Sequence, residues 1–391
     1  MQVLQINCVY NKGSTGRIVS DLHRYYLAHN IDSYVVYGRG ETSEDQNVIK
    51  VSKEIGSKAR NIISRATGDL YGMAMLSTWQ LQKTISDLDP DIVHLHCING
   101  YFCNVFRLLS WLKSKRIPTV ITQHAEFFYT GNCGYAFECE QWRRGCQKCA
   151  SPKKAIGSAN GAAVRSNWQR MRDAFEGFEK LQLIGVSDWI SNRSNESGIL
   201  GQYPCKTILN GLDTERFSFQ GRNEHEGYEI IYVSPYFEDE NKGGKWLLQL
   251  AEETESLPIH YTVIGRTERE YSLRNTTFKG VITNKQELAR IYSNADVCVL
   301  TSKRETFSMV CAEALCCGTP VVGFEAGAPE TVCIPEFSSF VPYGDLMGLK
   351  KALLEMLERK TDKAGLSAQA RKKYSCETMA ENYLAVYRQM L

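Results

Sequence analysis

Two glutamates eight residues apart, Glu305 and Glu313, bracket the turn in this chain best suited to chemistry. They lie between two short apolar segments, Asp296-Val297-Cys298-Val299-Leu300 and Val321-Val322-Gly323-Phe324. Gly318 would stop the intervening helix and Pro320 bars it from continuing. The pattern predicts a strand–helix–strand unit, with Glu305 in the strand-to-helix loop and Glu313 about two turns into the helix. Both then face a crevice at the carboxyl end of a parallel sheet. Thr306 and Ser308 are the expected N-caps, and the free amides of the first turn make an anion site. Carboxylates beside such amides suit a ligand that carries hydroxyls and phosphates together, and a nucleotide sugar is one. A bare Glu-x7-Glu also fits a solvated surface helix, so the surrounding sequence has to decide.

Other reactive side chains sit at similar places. Lys242, with Gly243, precedes a helix N-terminus and is placed to neutralise a departing diphosphate. Arg266 follows Gly265 at the end of the next strand, where it reaches the same phosphates or stands as a surface cation. Asn11-Lys12-Gly13-Ser14-Thr15-Gly16 links the first strand to an amphipathic run, and its glycines let backbone amides approach a ligand or simply make a tight turn. Asp91–His96 ends in His94 and His96, and Ile117–His124 ends in His124. Spread over two strands with no carboxylate beside them, they make a poor metal set and read instead as polar groups lining a crevice. Cys133, Cys139, Cys146 and Cys149 crowd into 17 residues and close on a Cys-x2-Cys knuckle. That spacing suits a tetrahedral structural Zn2+ or a loop of reduced thiols, and no partnering base makes any of them a catalytic nucleophile.

The elements that must position these groups alternate. Strands near 2–7, 91–96, 117–124 and 181–187 precede a crossover, and 229–233, 261–264, 278–281, 296–300 and 321–324 follow it with helices between. Strand and helix in alternation mean parallel sheets with right-handed crossovers. With 391 residues, 43% hydrophobic and 23% charged, the chain is long enough for two globular domains. No apolar run approaches a membrane span, and the immediate first strand reads as having no signal peptide, so a cytoplasmic location is expected. Residues 1–180 hold 23 Lys/Arg against 16 Asp/Glu, whereas the remainder holds 23 against 28. The basic half points to an anionic lipid surface or a phosphate-bearing acceptor, or reflects ordinary surface variation. The basic run Lys50, Lys53, Lys58, Arg60 and Arg65, interleaved with Ile55, Ile62 and Ile63, fits the inner-membrane surface or a solvated helix face. Nothing points to nucleic acid.

The stretch from Glu305 through Ala314-Leu315-Cys316-Cys317-Gly318-Thr319-Pro320-Val321-Val322 resembles the signature of the retaining GT-B glycosyltransferases of family 4. Ile208-Leu209-Asn210-Gly211-Leu212-Asp213 resembles the family's Asn-Gly-x-Asp turn. The cysteine segment, with Trp142 and Gly145 inside it, is similar to an insert of some bacterial polysaccharide glycosyltransferases. The resemblance implies an α/β fold of two Rossmann-like domains facing across a cleft. An acceptor-binding domain of 1–185 would carry the insert 133–149, a nucleotide-sugar domain would span 186–375, and a helix of 376–391 would return to the first. It implies a retaining hexosyltransferase that moves sugar from a UDP- or GDP-sugar to a lipid-linked glycan of O-antigen, capsule or exopolysaccharide type, without a catalytic metal. His124, Glu305 and Lys242 would be catalytic. Gly16, Arg266, Phe307, Ser308, Met309 and Glu313 would bind the donor, and Glu126 and Asn99 would lie on the acceptor side. Two departures stand out: His124 is followed by Ala125 rather than Asp, and Ser234-Pro235 replaces Gly-Arg. They leave open a non-catalytic nucleotide-sugar-binding subunit, or a GT-B epimerase or phosphorylase.

Overall fold

The computed structural model describes residues 1–150, 153, 157, 158, 161 and 163–391. The chain divides into two units, residues 1–209 with 379–391, and residues 210–378.

In the first unit, strands β1 (Gln2–Val9), β2 (Asp32–Arg39), β3 (Val48–Lys50), β4 (Ile92–Leu95), β5 (Thr119–Gln123), β6 (Leu181–Gly185) and β7 (Cys205–Thr207) form one parallel sheet in the order β3-β2-β1-β4-β5-β6-β7. Val3, Leu4, Ile6, Ile92, Val93, Leu95, Val120 and Ile121 are fully buried. Continuous apolar runs of this kind belong to strands covered on both faces. The crossovers are α1 (Gly13–Ala28), α2 (Glu54–Thr67), α3 (Met75–Leu88), α4 (Val105–Ser114), α5 (Ala163–Phe175) and α6 (Asp188–Glu196). The expected boundary at 185 needs correction. Ser187 caps α6 by accepting from the Ile190 amide, and β7 pairs beyond β6, so the unit runs on to Leu209.

In the second unit, β8 (Tyr228–Tyr236), β9 (Ile259–Arg266), β10 (Thr276–Phe278), β11 (Val297–Leu300), β12 (Val321–Phe324) and β13 (Ser338–Val341) form a parallel sheet in the order β10-β9-β8-β11-β12-β13. Its helices are α7 (Gly244–Glu253), α8 (Lys285–Asn294), α9 (Met309–Cys316), α10 (Pro329–Val332), α11 (Leu346–Glu358) and α12 (Lys363–Tyr374). Ser234-Pro235 is not the start of a loop, because β8 continues through Tyr236. A register shift between Val233 and Tyr236 accommodates the proline, which cannot donate to the ladder.

Helix α13 (Cys376–Met390) starts in the second unit, where the Cys376 amide donates to the Leu212 carbonyl at 3.1 Å. From Met379 onward it belongs to the first unit and buries Tyr383 and Tyr387 there. In each sheet the strand order reverses beside the unit's own first strand, between β1 and β4 and between β8 and β11. Ligand crevices of open parallel sheets lie at the carboxyl ends of such positions.

Candidate active site

In the second unit the loops after β8 and β11 are sewn together. Thr301 Oγ1 donates to the carbonyls of Lys242 and Gly243 at 3.0 and 2.9 Å, and the Tyr232 hydroxyl reaches the Lys242 carbonyl at 3.0 Å. Asn241 Nδ2 donates to the Arg304 carbonyl at 2.9 Å, and the Lys303 amide to the Asn241 carbonyl at 2.7 Å. Gly243 has φ +71°, and a Cβ there would lie 2.2 Å from the Thr301 carbonyl oxygen, so only glycine lets the loops approach this closely. The stitching fixes the Lys242 backbone and aims its side chain at Glu305, Nζ to Oε1 2.7 Å. Burial works against the ammonium, but the Glu305 carboxylate outweighs it and holds Lys242 above its ordinary pKa, so the lysine stays charged.

Ser308 caps α9, its Oγ accepting from the Cys311 amide at 3.4 Å, with its own backbone left-handed at φ +77°. For a non-glycine residue this is a strained conformation, held here at a helix N-terminus beside the crevice. Helix α9 begins only at Met309, so Thr306, Phe307 and Ser308 are not helical and Glu313 lies in the second turn rather than two turns in. The Tyr292 hydroxyl donates to Glu313 Oε2 at 3.3 Å; burial, and then the nearby carboxylate, push that phenol well above its usual pKa. The Phe307 ring is 3% exposed and packs edge-on to Tyr374 in the core, so only its backbone is placed to meet a ligand. Met309 is half-buried. Arg266 ends β9, exposed, with its guanidinium 5.8 Å above the Tyr236 ring.

At the carboxyl ends of β4 and β5 in the first unit, His94, His96 and His124 gather into one buried group. His96 Nδ1 and His124 Nε2 are 3.2 Å apart, and the rings of His94 and His96 lie 3.9 Å apart. His94 bonds the Tyr387 hydroxyl at 2.6 Å and Thr122 Oγ1 at 2.8 Å, and Thr122 meets the Tyr383 hydroxyl at 2.9 Å. Burial pushes His124 down to about 4, and burial followed by their neighbours drives His94 and His96 well below the usual value, so all three are neutral imidazoles at pH 7. Gly16 lies in the first turn of α1, where a Cβ would come within 3.1 Å of the Val9 side chain, and its carbonyl accepts from the Asn11 amide at 2.9 Å. Asn99 is half-buried beside the Tyr71 hydroxyl.

Glu126 departs from the acceptor-side expectation. Its side chain is wholly buried, Oε1 taking Arg193 Nε at 2.7 Å and the Tyr129 hydroxyl at 2.9 Å, and Oε2 taking the Ala136 amide at 2.7 Å. The carboxylate is consumed by the protein. It pins the cysteine segment to α6, with Trp142 buried beneath the Arg193 guanidinium at 4.4 Å. The four cysteines are free thiols, Cys146 buried, Cys139 exposed and the other two between. Among the described residues no group of three or more His, Cys, Asp or Glu is placed to hold a metal ion. The segment is held in place by Trp142, Arg193 and Glu126.

Sequence reasoning missed the Lys242–Glu305 pair, the Tyr292 contact to Glu313, and the tyrosines that complete the histidine group. The first was discoverable, since parallel-sheet topology puts the loops at neighbouring strand ends side by side.

The family described as Glycosyltransferase Family 4 matches residues 15–216, just over half of the chain, and that described as Glycosyl transferases group 1 matches residues 227–359. Across the full length of both chains the sequence is 27% identical to an Escherichia coli (strain K12) protein described as a colanic acid biosynthesis glycosyl transferase, WcaC. Two solved structures are similar over the whole chain: sucrose-phosphate synthase from Thermosynechococcus elongatus (TM-score 0.70, 16% identity, 99% of that chain covered) and Anabaena HepE in complex with UDP (TM-score 0.65, 14% identity, 100% covered). These likenesses show the fold, two parallel-sheet α/β units of GT-B type.

Proposed function

This chain belongs to glycosyltransferase family 4, and from that premise we propose that it transfers a hexosyl group, with retention of anomeric configuration, from a UDP- or GDP-sugar to a lipid-linked glycan in surface-polysaccharide biosynthesis. The observation that carries the reading is the Lys242–Glu305 pair, 2.7 Å apart beside the Ser308-capped start of α9. A diphosphate arriving there takes the Lys242 ammonium, and the first amides of α9, as counter-charges to the negative charge that grows as it leaves. Glu305, relieved of the lysine, accepts from donor-sugar hydroxyls, and Glu313 accepts from the ribose. The acceptor attacks the anomeric carbon on the face the diphosphate leaves, and the acceptor proton passes to the departing diphosphate oxygen. No protein nucleophile and no metal enters this scheme. In the first unit, Gly16 leaves room for close backbone approach and His124 offers a neutral hydrogen-bonding ring. The biosynthetic role draws on the full-length likeness to the E. coli protein.

The test is a binding and turnover screen of UDP- and GDP-sugars in EDTA, with NMR assignment of the product anomer. Glu313→Gln should weaken nucleotide binding about 10- to 100-fold, the range of one charged hydrogen bond. Glu305→Gln should mainly lower turnover. Product of inverted configuration, or two variants as active as the parent, would overturn the reading. Tight nucleotide binding with neither transfer nor slow hydrolysis would make the chain a non-catalytic binding subunit.

A further inference from the structure

Helix α2 is turned inside out. Its buried residues are the two serines Ser57 and Ser64, while Ile55 is 83% exposed, Ile62 71% and Ile63 49%. At 100° per residue Ile55, Ile62 and Ile63 fall on one stripe with Ala59 and Ala66, diametrically opposite Ser57 and Ser64. The inner face is fixed by polar contacts: Arg60 Nε donates to the Tyr101 carbonyl at 2.7 Å, and its Nη2 to Ser52 and Ser57 Oγ at 3.1 and 3.2 Å. The orientation is therefore set by hydrogen bonds that leave the isoleucines in water. The next helix, α3, exposes Met75, Leu76 and Trp79 in the same way, Leu76 at 83% and Trp79 at 59%. Six of the fourteen large apolar side chains exposed among the described residues thus fall within 25 consecutive positions. Scattered single exposures need no explanation, whereas a concentration like this marks a surface that something covers.

We propose that α2 and α3 form a docking surface for an anionic lipid bilayer, lying in the headgroup region with the isoleucine stripe, Leu76 and Trp79 inserted. Charge selects this occupant. Lys58 and Arg65 stand three residues after Ile55 and Ile62, exposed along one edge of the stripe, where a surface-lying helix carries its headgroup-binding cations. Trp79 adds an aromatic side chain of the type enriched at membrane–water interfaces. A second copy of this chain is a poorer occupant, since an antiparallel two-fold contact through the stripe would bring Lys58 and Arg65 of both copies together, and a parallel one would leave them unpaired. Among the described residues no helix is long and apolar enough to cross a membrane, so the contact is interfacial. The inference rests on exposure and charge and does not depend on the reaction proposed above.

The experiment is co-sedimentation of the full chain with vesicles of phosphatidylglycerol and phosphatidylethanolamine, against vesicles of phosphatidylcholine alone. The parent should bind the anionic vesicles and lose binding as salt rises. The double variant Ile55→Ser/Ile62→Ser should bind about 100-fold more weakly, roughly tenfold for each half-buried isoleucine. Lys58→Gln/Arg65→Gln should weaken anionic binding about tenfold and leave neutral vesicles unaffected. All these side chains are exposed, so melting temperature and nucleotide binding should stay at parental values and report intact folding. Equal binding by parent and variants, or no preference for anionic lipid, overturns the proposal. A parent that ignores vesicles but sediments as a dimer, which Ile55→Ser/Ile62→Ser dissociates, would make this face a contact between copies and overturns it too. Vesicle binding as expected from a protein that transfers no sugar would sink the functional reading and leave this one standing.

Discussion

After β5 in the first unit Glu126 meets Arg193 at 2.7 Å, and after β11 in the second Glu305 meets Lys242 at the same distance. The surroundings differ in kind. Glu126 is fully enclosed and takes three donors, whereas among the described residues only Lys242 donates to the Glu305 carboxylate, which keeps 10% of its side-chain surface open, with 26% for the lysine. Around Glu126 the strand ends hold neutral, buried histidines; around Glu305 they hold an ammonium, a strained cap and a second carboxylate. Distance does not separate a structural pair from one available to a ligand. The count of satisfied lone pairs and the remaining access do.

The contrast breaks first, and most, at Glu126. Glu126→Gln takes the nearer counter-charge from the Arg193 guanidinium, leaving, among the described residues, only Glu140 at 3.8 Å, and the first unit's unfolding free energy should fall by about 3 kcal/mol in urea titrations. A variant as stable as the parent would mean the pair is as open as its counterpart. Next comes Lys242→Ala, which should lower turnover about 10²- to 10³-fold while changing unfolding by less than about 1 kcal/mol. Arg266→Ala, which removes an exposed cation stacked on Tyr236, should lower turnover about tenfold at most. Turnover and stability falling together in Lys242→Ala would make this pair structural as well. Acid sharpens the same contrast. Between pH 6.5 and about 4 the unfolded chain takes up a proton that folded His124 refuses, so stability falls as pH drops through that window. His124 alone should contribute a loss of about 3 kcal/mol by pH 4, and His94 and His96 act in the same direction. Unfolding curves at pH 7, 5.5 and 4.5 should show this, with His124→Gln flattening its share of the slope.

Much of the second unit was legible because its signals are local. Gly243, Ser308 and Gly318 mark helix ends through their own backbone requirements, and the expected crossovers occur where they are punctuated. What escaped depends on partners distant in sequence. Arg193 lies 67 positions from Glu126, and Tyr387 lies 293 from His94, so no spacing rule reveals that these groups are already satisfied. The ring of Phe307, 67 positions from Tyr374, is likewise packed against a partner that no local pattern reveals. The order around the four cysteines also draws on a distant partner, with Trp142 lying under Arg193. Spacing proposes ligands, and three-dimensional competition for them disposes.

The return of α13 to the first unit bears on how the protein is made. Synthesis runs from the N-terminal side, so most of the segment to Leu209 leaves the ribosome before residues 379–391 exist. Until Tyr383 and Tyr387 arrive, Thr122 and His94 lack the hydroxyl partners that satisfy them in the finished protein. The second unit is unbroken in sequence from Asn210 to Thr378, so none of its own residues comes from that last segment. The half of the molecule translated first is thus the half completed last. A chain cut back to residue 378 would keep every residue of the second unit but would leave Thr122 and His94 in the first without their tyrosine hydroxyls.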